Sequence, residues 1–171
     1  HKYPLEVLRD DLVYLLRRSD AVGLRATGGS GKTEYVPAML SQLYVEEDTC
    51  WVRVISSVPQ DFCRLVQNYP VCARYVAGCG DKKGKGNSPV TFMSSGYVAQ
   101  HVRSNPQFWC AYDVIIFDEA DTLDLEYALA MKAVVRDILS KRSTHGHKAL
   151  LFTSATLDET RLPVDDVPVL V

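Results

Sequence analysis

Ala26-Thr27-Gly28-Gly29-Ser30-Gly31-Lys32-Thr33 sets a glycine-rich turn, one lysine and one hydroxyl between two segments of opposite local character. Ala21-Val22-Gly23-Leu24-Arg25 before it reads as a short strand, and Glu34 to Leu43 after it reads as a helix. A strand that runs through such a turn into a helix commits the chain to an α/β unit. Glycines at 28, 29 and 31 open torsions closed to other residues, so successive N–H groups converge at the positive end of the helix. That is a cradle for a nucleoside triphosphate. Thr27, Gly28, Gly29, Ser30 and Gly31 would line it, Lys32 would reach the β and γ phosphates, and Thr33 would hold Mg²⁺. The strict pattern has glycine where this chain has Ala26, a position that starts the turn and need not touch phosphate. A plain Gly/Ser turn with a chance Gly-Lys-Thr is the bland alternative, and the flanking strand and helix weigh against it.

Val114-Ile115-Ile116-Phe117 is an apolar, β-branched run of the kind buried on both faces of a parallel sheet, and it ends in Asp118-Glu119-Ala120-Asp121. At the carboxyl end of a strand beside a phosphate loop, Asp118 would hold Mg²⁺ and Glu119 would orient or deprotonate the attacking water. Acidic residues also favour helix N-termini, and Asp121 or Asp124 fits that simpler role. Ser154-Ala155-Thr156 follows a second apolar run, Ala149 to Thr153, and by itself would be a turn or a cap.

Taken in order, Ala26 to Thr33, Asp118 to Asp121 and Ser154 to Thr156 resemble motifs I, II (in its DEAD form) and III of superfamily 2 helicases. Pro89 to Val98 is similar to the motif Ib region of the potyvirus cylindrical inclusion helicase and its relatives in hypovirus-like polyproteins. The resemblance points to viral RNA helicases rather than cellular DEAD-box proteins. It implies a RecA-like α/β P-loop fold, the first of two motor domains, that couples ATP hydrolysis to unwinding or remodelling of single-stranded or duplex RNA. Lys32, Asp118 and Glu119 would be catalytic, Thr33 and Asp118 would place Mg²⁺, and Ser154, Ala155 and Thr156 would couple hydrolysis to nucleic acid. The implied partner is a second RecA-like domain of the same parent chain, and the implied setting is the host cytoplasm at viral replication complexes. Pro59, Ser95 and Gly96 match RNA-contact regions. The family's Pro-Thr-Arg in motif Ia is here Pro59-Gln60-Asp61, so only the proline agrees, and no Q motif is visible to carry adenine recognition. A protein-remodelling or switch ATPase would share the first two motifs, and a helicase-derived interaction domain would need none of the chemistry.

At 171 residues and 47% hydrophobic content the chain suits one domain spanning 1–171, and a net charge of −2 argues against a generally basic nucleic-acid binder. A local RNA-binding groove is compatible with that balance. Cysteines at 50, 63, 72, 79 and 110 form no C-x-x-C pair, so neither a zinc site nor a disulfide framework is expected, and a reducing compartment is. No signal peptide or membrane-spanning run is read. His1 at the start and Val169-Leu170-Val171 at the end suggest a piece of something larger, excised from a polyprotein.

The patterns predict strands near 21–26, 50–56, 73–77, 90–93, 113–117 and 148–153, and helices near 5–18, 32–43, 59–69, 95–103 and 123–142. Their alternation implies a mainly parallel sheet covered on both faces. In the last helix, Leu125, Ala128, Met131, Val135 and Ile138 recur at helical spacing as a core stripe. Gly78 to Pro89, with four glycines and three lysines, reads as a mobile charged loop. It is either solvated surface or a place where Lys82, Lys83 and Lys85 meet RNA phosphates. Tyr97, Gln100, His101 and Arg103 would extend that surface, unless Tyr97 is simply buried.

Overall fold

The computed structural model describes residues 7–27, 32–43, 52–56, 69, 73–76, 82–84, 88–105, 112–141 and 148–171. Its strands are β1 (Ala21–Arg25), β2 (Val52–Ser56), β3 (Ala73–Val76), β4 (Lys82–Gly84), β5 (Val90–Ser94), β6 (Val114–Asp118), β7 (Ala149–Ser154) and β8 (Val169–Leu170). Its helices are α1 (Arg9–Arg18), α2 (Tyr35–Leu43), α3 (Ser95–Ser104) and α4 (Leu125–Ser140). The strands form one eight-stranded sheet in the order β4-β3-β5-β2-β6-β7-β1-β8. Every neighbouring pair is parallel except β3 with β4.

The six strands read from sequence are all present. β2, β5, β6 and β7 are buried along their whole length. On one face, Leu12 and Leu16 of α1 with Val36, Met39 and Leu40 of α2 pack over Val22, Leu24, Val54, Ile116 and Leu151. On the other, Val98 of α3 and the α4 stripe pack over Ile55, Met93, Ile115, Phe117, Leu150 and Phe152. Each such side chain contributes about 1.5–3 kcal/mol when fully buried. The aromatic rings of Phe117 and Phe152 stack at 5.3 Å, locking β6 to β7.

α1 carries Asp10 and Asp11 in its first turn and Arg17 and Arg18 in its last, each matching the helix dipole. α2 begins at Tyr35, after a turn over residues 32–34, and so starts later than the expected 32. Pro37 sits in its first turn, where a missing N–H leaves no bond unmade. The helix expected near 59–69 lies outside the described residues except for Tyr69, as do the five cysteines. Among the described residues no helix is long and apolar enough to cross a membrane.

Two expectations are corrected. The core stripe of α4 is Tyr127, Ala130, Met131, Val134, Val135 and Ile138, whereas Leu125 is 72% exposed. At 100° per residue, position 125 lies on the far side of the helix from Met131 and Ile138. The segment read as a mobile loop contains β4, whose Lys82–Gly84 backbone pairs antiparallel with Arg74–Val76 of β3. Lysine and glycine disfavour strands intrinsically, but the open edge of β3 offers unpaired N–H and C=O groups that this backbone satisfies.

Candidate nucleotide site

β6, β7 and β1 are consecutive in the sheet, so the three segments that follow their carboxyl ends lie side by side. Asp118 is in register with Thr153, and Arg25 with Ser154. The Ala26 N–H donates to the Ser154 carbonyl at 3.1 Å, carrying the start of the glycine-rich segment onto the end of β7. Open α/β sheets bind ligands in this position, beyond the carboxyl ends of their strands.

Lys32 and Thr33 occupy the turn that leads into α2. The Lys32 ammonium, nearly buried, lies 3.3 Å from Glu119 Oε1. The Thr33 hydroxyl faces both Asp118 carboxylate oxygens, at 3.2 and 3.3 Å, and the Thr153 hydroxyl donates to Oδ1 at 3.1 Å. Thr27 is exposed at the mouth of the loop, while Gly28, Gly29, Ser30 and Gly31 lie outside the described residues. Lys32, Thr33, Asp118 and Glu119, 85 and more residues apart in the chain, are thus brought together as the motif reading requires.

Asp118 is 6% exposed, and its carboxyl pKa is pushed up to about 6. Burial is the main cause and the neighbouring Glu119 charge adds to it, against the opposing pull of Thr153, Lys32 and Thr33. The folded chain therefore carries a carboxylate whose charge its own donors do not fully neutralise. Glu119 has a φ of 51°, in the left-handed region, which turns the chain immediately after β6. For a non-glycine residue that conformation costs of order 1 kcal/mol or more. The turn is held by Ala120 N–H to the Thr153 carbonyl at 3.0 Å and Thr122 N–H to the Glu119 carbonyl at 3.1 Å.

Asp121 does not cap a helix; Asp124 does, accepting the Tyr127 N–H at 3.1 Å. Asp121 reaches across to the end of β7, where Ser154 Oγ donates to its Oδ1 at 2.5 Å and Thr156 Oγ1 donates to its Oδ2. Ser154 Oγ also accepts the Thr156 N–H at 3.1 Å, and exposed Ala155 links the two hydroxyl residues. Burial raises the Asp121 pKa, but the two hydroxyls more than offset that and hold it below the usual carboxylate value.

Two supporting residues escaped the sequence reading. Tyr127 is fully buried, and its hydroxyl bridges the carbonyls of Asp118 at 2.5 Å and Ile55 at 2.9 Å, tying α4 to the carboxyl ends of β6 and β2. A tyrosine within an apolar stripe was the available signal, since a buried phenol must find a partner. Arg25 donates through Nε and Nη2 to the Leu157 carbonyl at 3.0 and 2.8 Å, and Nη2 meets Glu159 at 3.1 Å, fastening β1 to the segment after Thr156.

Of the residues implied to touch RNA, Ser95 and Gly96 open α3 on the same carboxyl-end side of the sheet. Ser94 caps that helix by accepting the Tyr97 N–H at 3.1 Å, and Ser95 Oγ donates to Glu126 at 3.3 Å. Tyr97 is half-buried, stacked on His101 with ring centroids 4.0 Å apart. Lys82 and Lys83 belong to β4, and Pro59 and Lys85 lie outside the described residues.

Two solved structures superpose on nearly the whole chain. One is Escherichia coli DEAH/RHA helicase HrpB, with a TM-score of 0.78 and 19% identity over 98% of this chain. The fold is therefore RecA-like α/β. The structure of E. coli DExH-box NTPase HrpB agrees, with a TM-score of 0.78 and 20% identity over 99% of the chain. In sequence, the chain is 27% identical over 133 residues to genome polyproteins of Plum pox potyvirus, in isolate NAT and in strain Rankovic alike. It spans 4% of those polyproteins and 22% and 21% of the two solved chains. No family model matches the chain.

Proposed function

We propose that residues 1–171 form the ATP-binding motor domain of an ATP-dependent RNA helicase, the first of two RecA-like domains in a viral polyprotein. The observation that carries this reading is the convergence of Thr33, Lys32, Asp118 and Glu119 at the ends of adjacent strands. The Asp121 bridge to Ser154 and Thr156 supports it, because it joins that site to the segment implied to couple hydrolysis to nucleic acid. RNA as the substrate rests on the motif Ib resemblance and on the likeness to potyvirus polyproteins.

The site suits Mg²⁺-ATP. The Asp118 carboxylate and Thr33 hydroxyl are hard oxygen donors 3.2 Å apart, and the raised Asp118 pKa marks a charge deficit that a divalent cation would correct. Thr33 and Asp118 would hold Mg²⁺, which when bound would supply positive charge against the phosphates. Lys32 would leave its ion pair with Glu119 for the γ phosphate, and the released Glu119 carboxylate would take a proton from the attacking water. Ser95 and Gly96, and more distantly Pro59, Lys82, Lys83 and Lys85, are the proposed RNA contacts.

The chain alone would be half of the enzyme, since a second domain is needed to close the cleft and stabilise transition-state charge. The test compares RNA-stimulated ATP hydrolysis by this chain with that of a longer form carrying the following domain. In the longer form, Glu119→Gln should retain Mg-ATP binding while turnover falls roughly 10²- to 10⁴-fold, and Lys32→Ala should weaken both. Parent-rate hydrolysis by Glu119→Gln, or equal turnover by the short and long forms, would overturn the mechanism.

A further inference from the structure

At the opposite end of the same strands, away from the nucleotide site, β2 and β5 bury two polar side chains that the proposed nucleotide and RNA contacts leave unused. Arg53 and Thr91 are register partners at the amino ends of these strands, on the sheet face covered by α3 and α4, which Ile115 shares in register with Arg53. Arg53 is 8% exposed and Thr91 1%. Arg53 Nη1 donates to the Val52 carbonyl at 3.0 Å, and its guanidinium lies 3.8 Å from the centroid of the Tyr112 ring. Among the described residues, its Nε–H and the Thr91 hydroxyl have no hydrogen-bond partner. Buried donors are normally satisfied, and an ionised one above all, so two unsatisfied groups in adjacent register positions mark an incomplete site.

We propose that Arg53 and Thr91 form the floor of a binding site for a small oxyanion of phosphate or carboxylate type at the amino-terminal edge of the sheet. The Arg53 Nε–H and the Thr91 O–H would each donate to one ligand oxygen, with the Tyr112 ring covering the guanidinium. An ordered water could answer the two hydrogen bonds but not the charge. Among the described residues, the strongest electrostatic neighbours of Arg53 are Tyr112, which also hydrogen-bonds to its guanidinium, Arg74 and Tyr97, none of which is a carboxylate. Arg74 is the register partner of Thr91 from the other side, on β3, so the same row of the sheet carries a second cation.

The experiment uses the chain with Lys32→Ala, which removes the phosphate-loop cation as a competing anion site. Thermal unfolding is followed in inorganic phosphate, acetate or chloride at matched ionic strength, while nitrogen-15 NMR follows the Arg53 Nε–H signal. A bound oxyanion should raise Tm progressively with its concentration, by about 5–10 °C at a hundredfold excess over Kd, and shift that signal saturably. Thr91→Val keeps the volume and removes the hydroxyl, so it should weaken binding roughly 10- to 100-fold, the loss of one hydrogen bond to a charged ligand. Arg53→Gln should abolish binding, and if that variant fails to fold, Thr91→Val still decides. A response to phosphate alone identifies a phosphate site and to acetate alone a carboxylate site, and either supports the proposal. Equal Tm in all three salts, unchanged affinity in Thr91→Val, or an Arg53 signal answered only by an ordered water would overturn it.

Discussion

Asp118→Asn should make the metal-free, nucleotide-free chain more stable at neutral pH. The folded state raises this carboxyl from 3.8 to about 6, so it binds the proton more tightly than the unfolded chain does. Stability from this group is therefore greatest at low pH and is lost as pH rises from about 4 to about 6. Slightly more than two pH units, at 1.36 kcal/mol each, sets the cost of ionisation at about 3 kcal/mol above pH 6. Asparagine removes that cost and keeps one side-chain oxygen for Thr33 and Thr153, but forfeits part of the hydrogen bonding to a charged acceptor, about 1 kcal/mol. The net gain at pH 8 is about 2 kcal/mol, or a Tm rise of roughly 4–8 °C for a domain of this size. Urea unfolding at pH 4, 6 and 8, without Mg²⁺ or nucleotide, reads it directly as a change in midpoint at constant slope. An advantage that is absent at pH 8, or equally large at pH 4, would refute the burial account of Asp118.

Other substitutions probe the framework around the site. Asp121→Ala should cost about 1–3 kcal/mol through the lost Ser154 and Thr156 bonds, and in a two-domain form should reduce RNA stimulation more than basal hydrolysis. Because the Asp121 pKa is depressed, its contribution should be present above its ordinary value and fade as pH falls through the lowered one, which parallel acid titrations of parent and variant would show. Tyr127→Phe should cost about 1–3 kcal/mol in urea unfolding, since the buried carbonyls of Ile55 and Asp118 lose their shared donor. Gly23→Val should cost about 1–3 kcal/mol by overpacking. A Cβ at Gly23 would already lie 2.8 Å from Leu157 Cδ2 and 3.1 Å from Val169 Cγ2, so Gly23→Ala, which the mobile Leu157 methyl can evade, should be milder on calorimetry.

The parts of the fold visible from sequence are those governed by local composition. Runs such as Val114–Phe117 and Ala149–Phe152 have no favourable place except a doubly covered sheet, and the motifs sit at their carboxyl ends by chain order alone. What sequence left undecided depended on long-range geometry. Asp121 and Asp124 both suit a helix start, and only the meeting of β6 with β7 makes one a bridge and the other a cap. Leu125 fits a helical repeat on paper, yet the cap at Asp124 fixes a rotation that turns it outward. Arg53 looks like an exposed charge on a strand, and α3 and α4 bury it. The Lys82–Gly84 segment carries no strand signal at all, because its pairing is imposed by a neighbour 6 to 10 positions earlier in the chain.

That pairing has a consequence for how copies of the domain behave beside one another. A parallel sheet that stopped at β3 would present a free ladder to any extended chain, the usual seed of aggregation. β4 closes this ladder with three residues, two lysines and a glycine, a stretch too short to register a further partner strand. The least strand-like stretch of the sequence thus protects the sheet's β3 side from self-association.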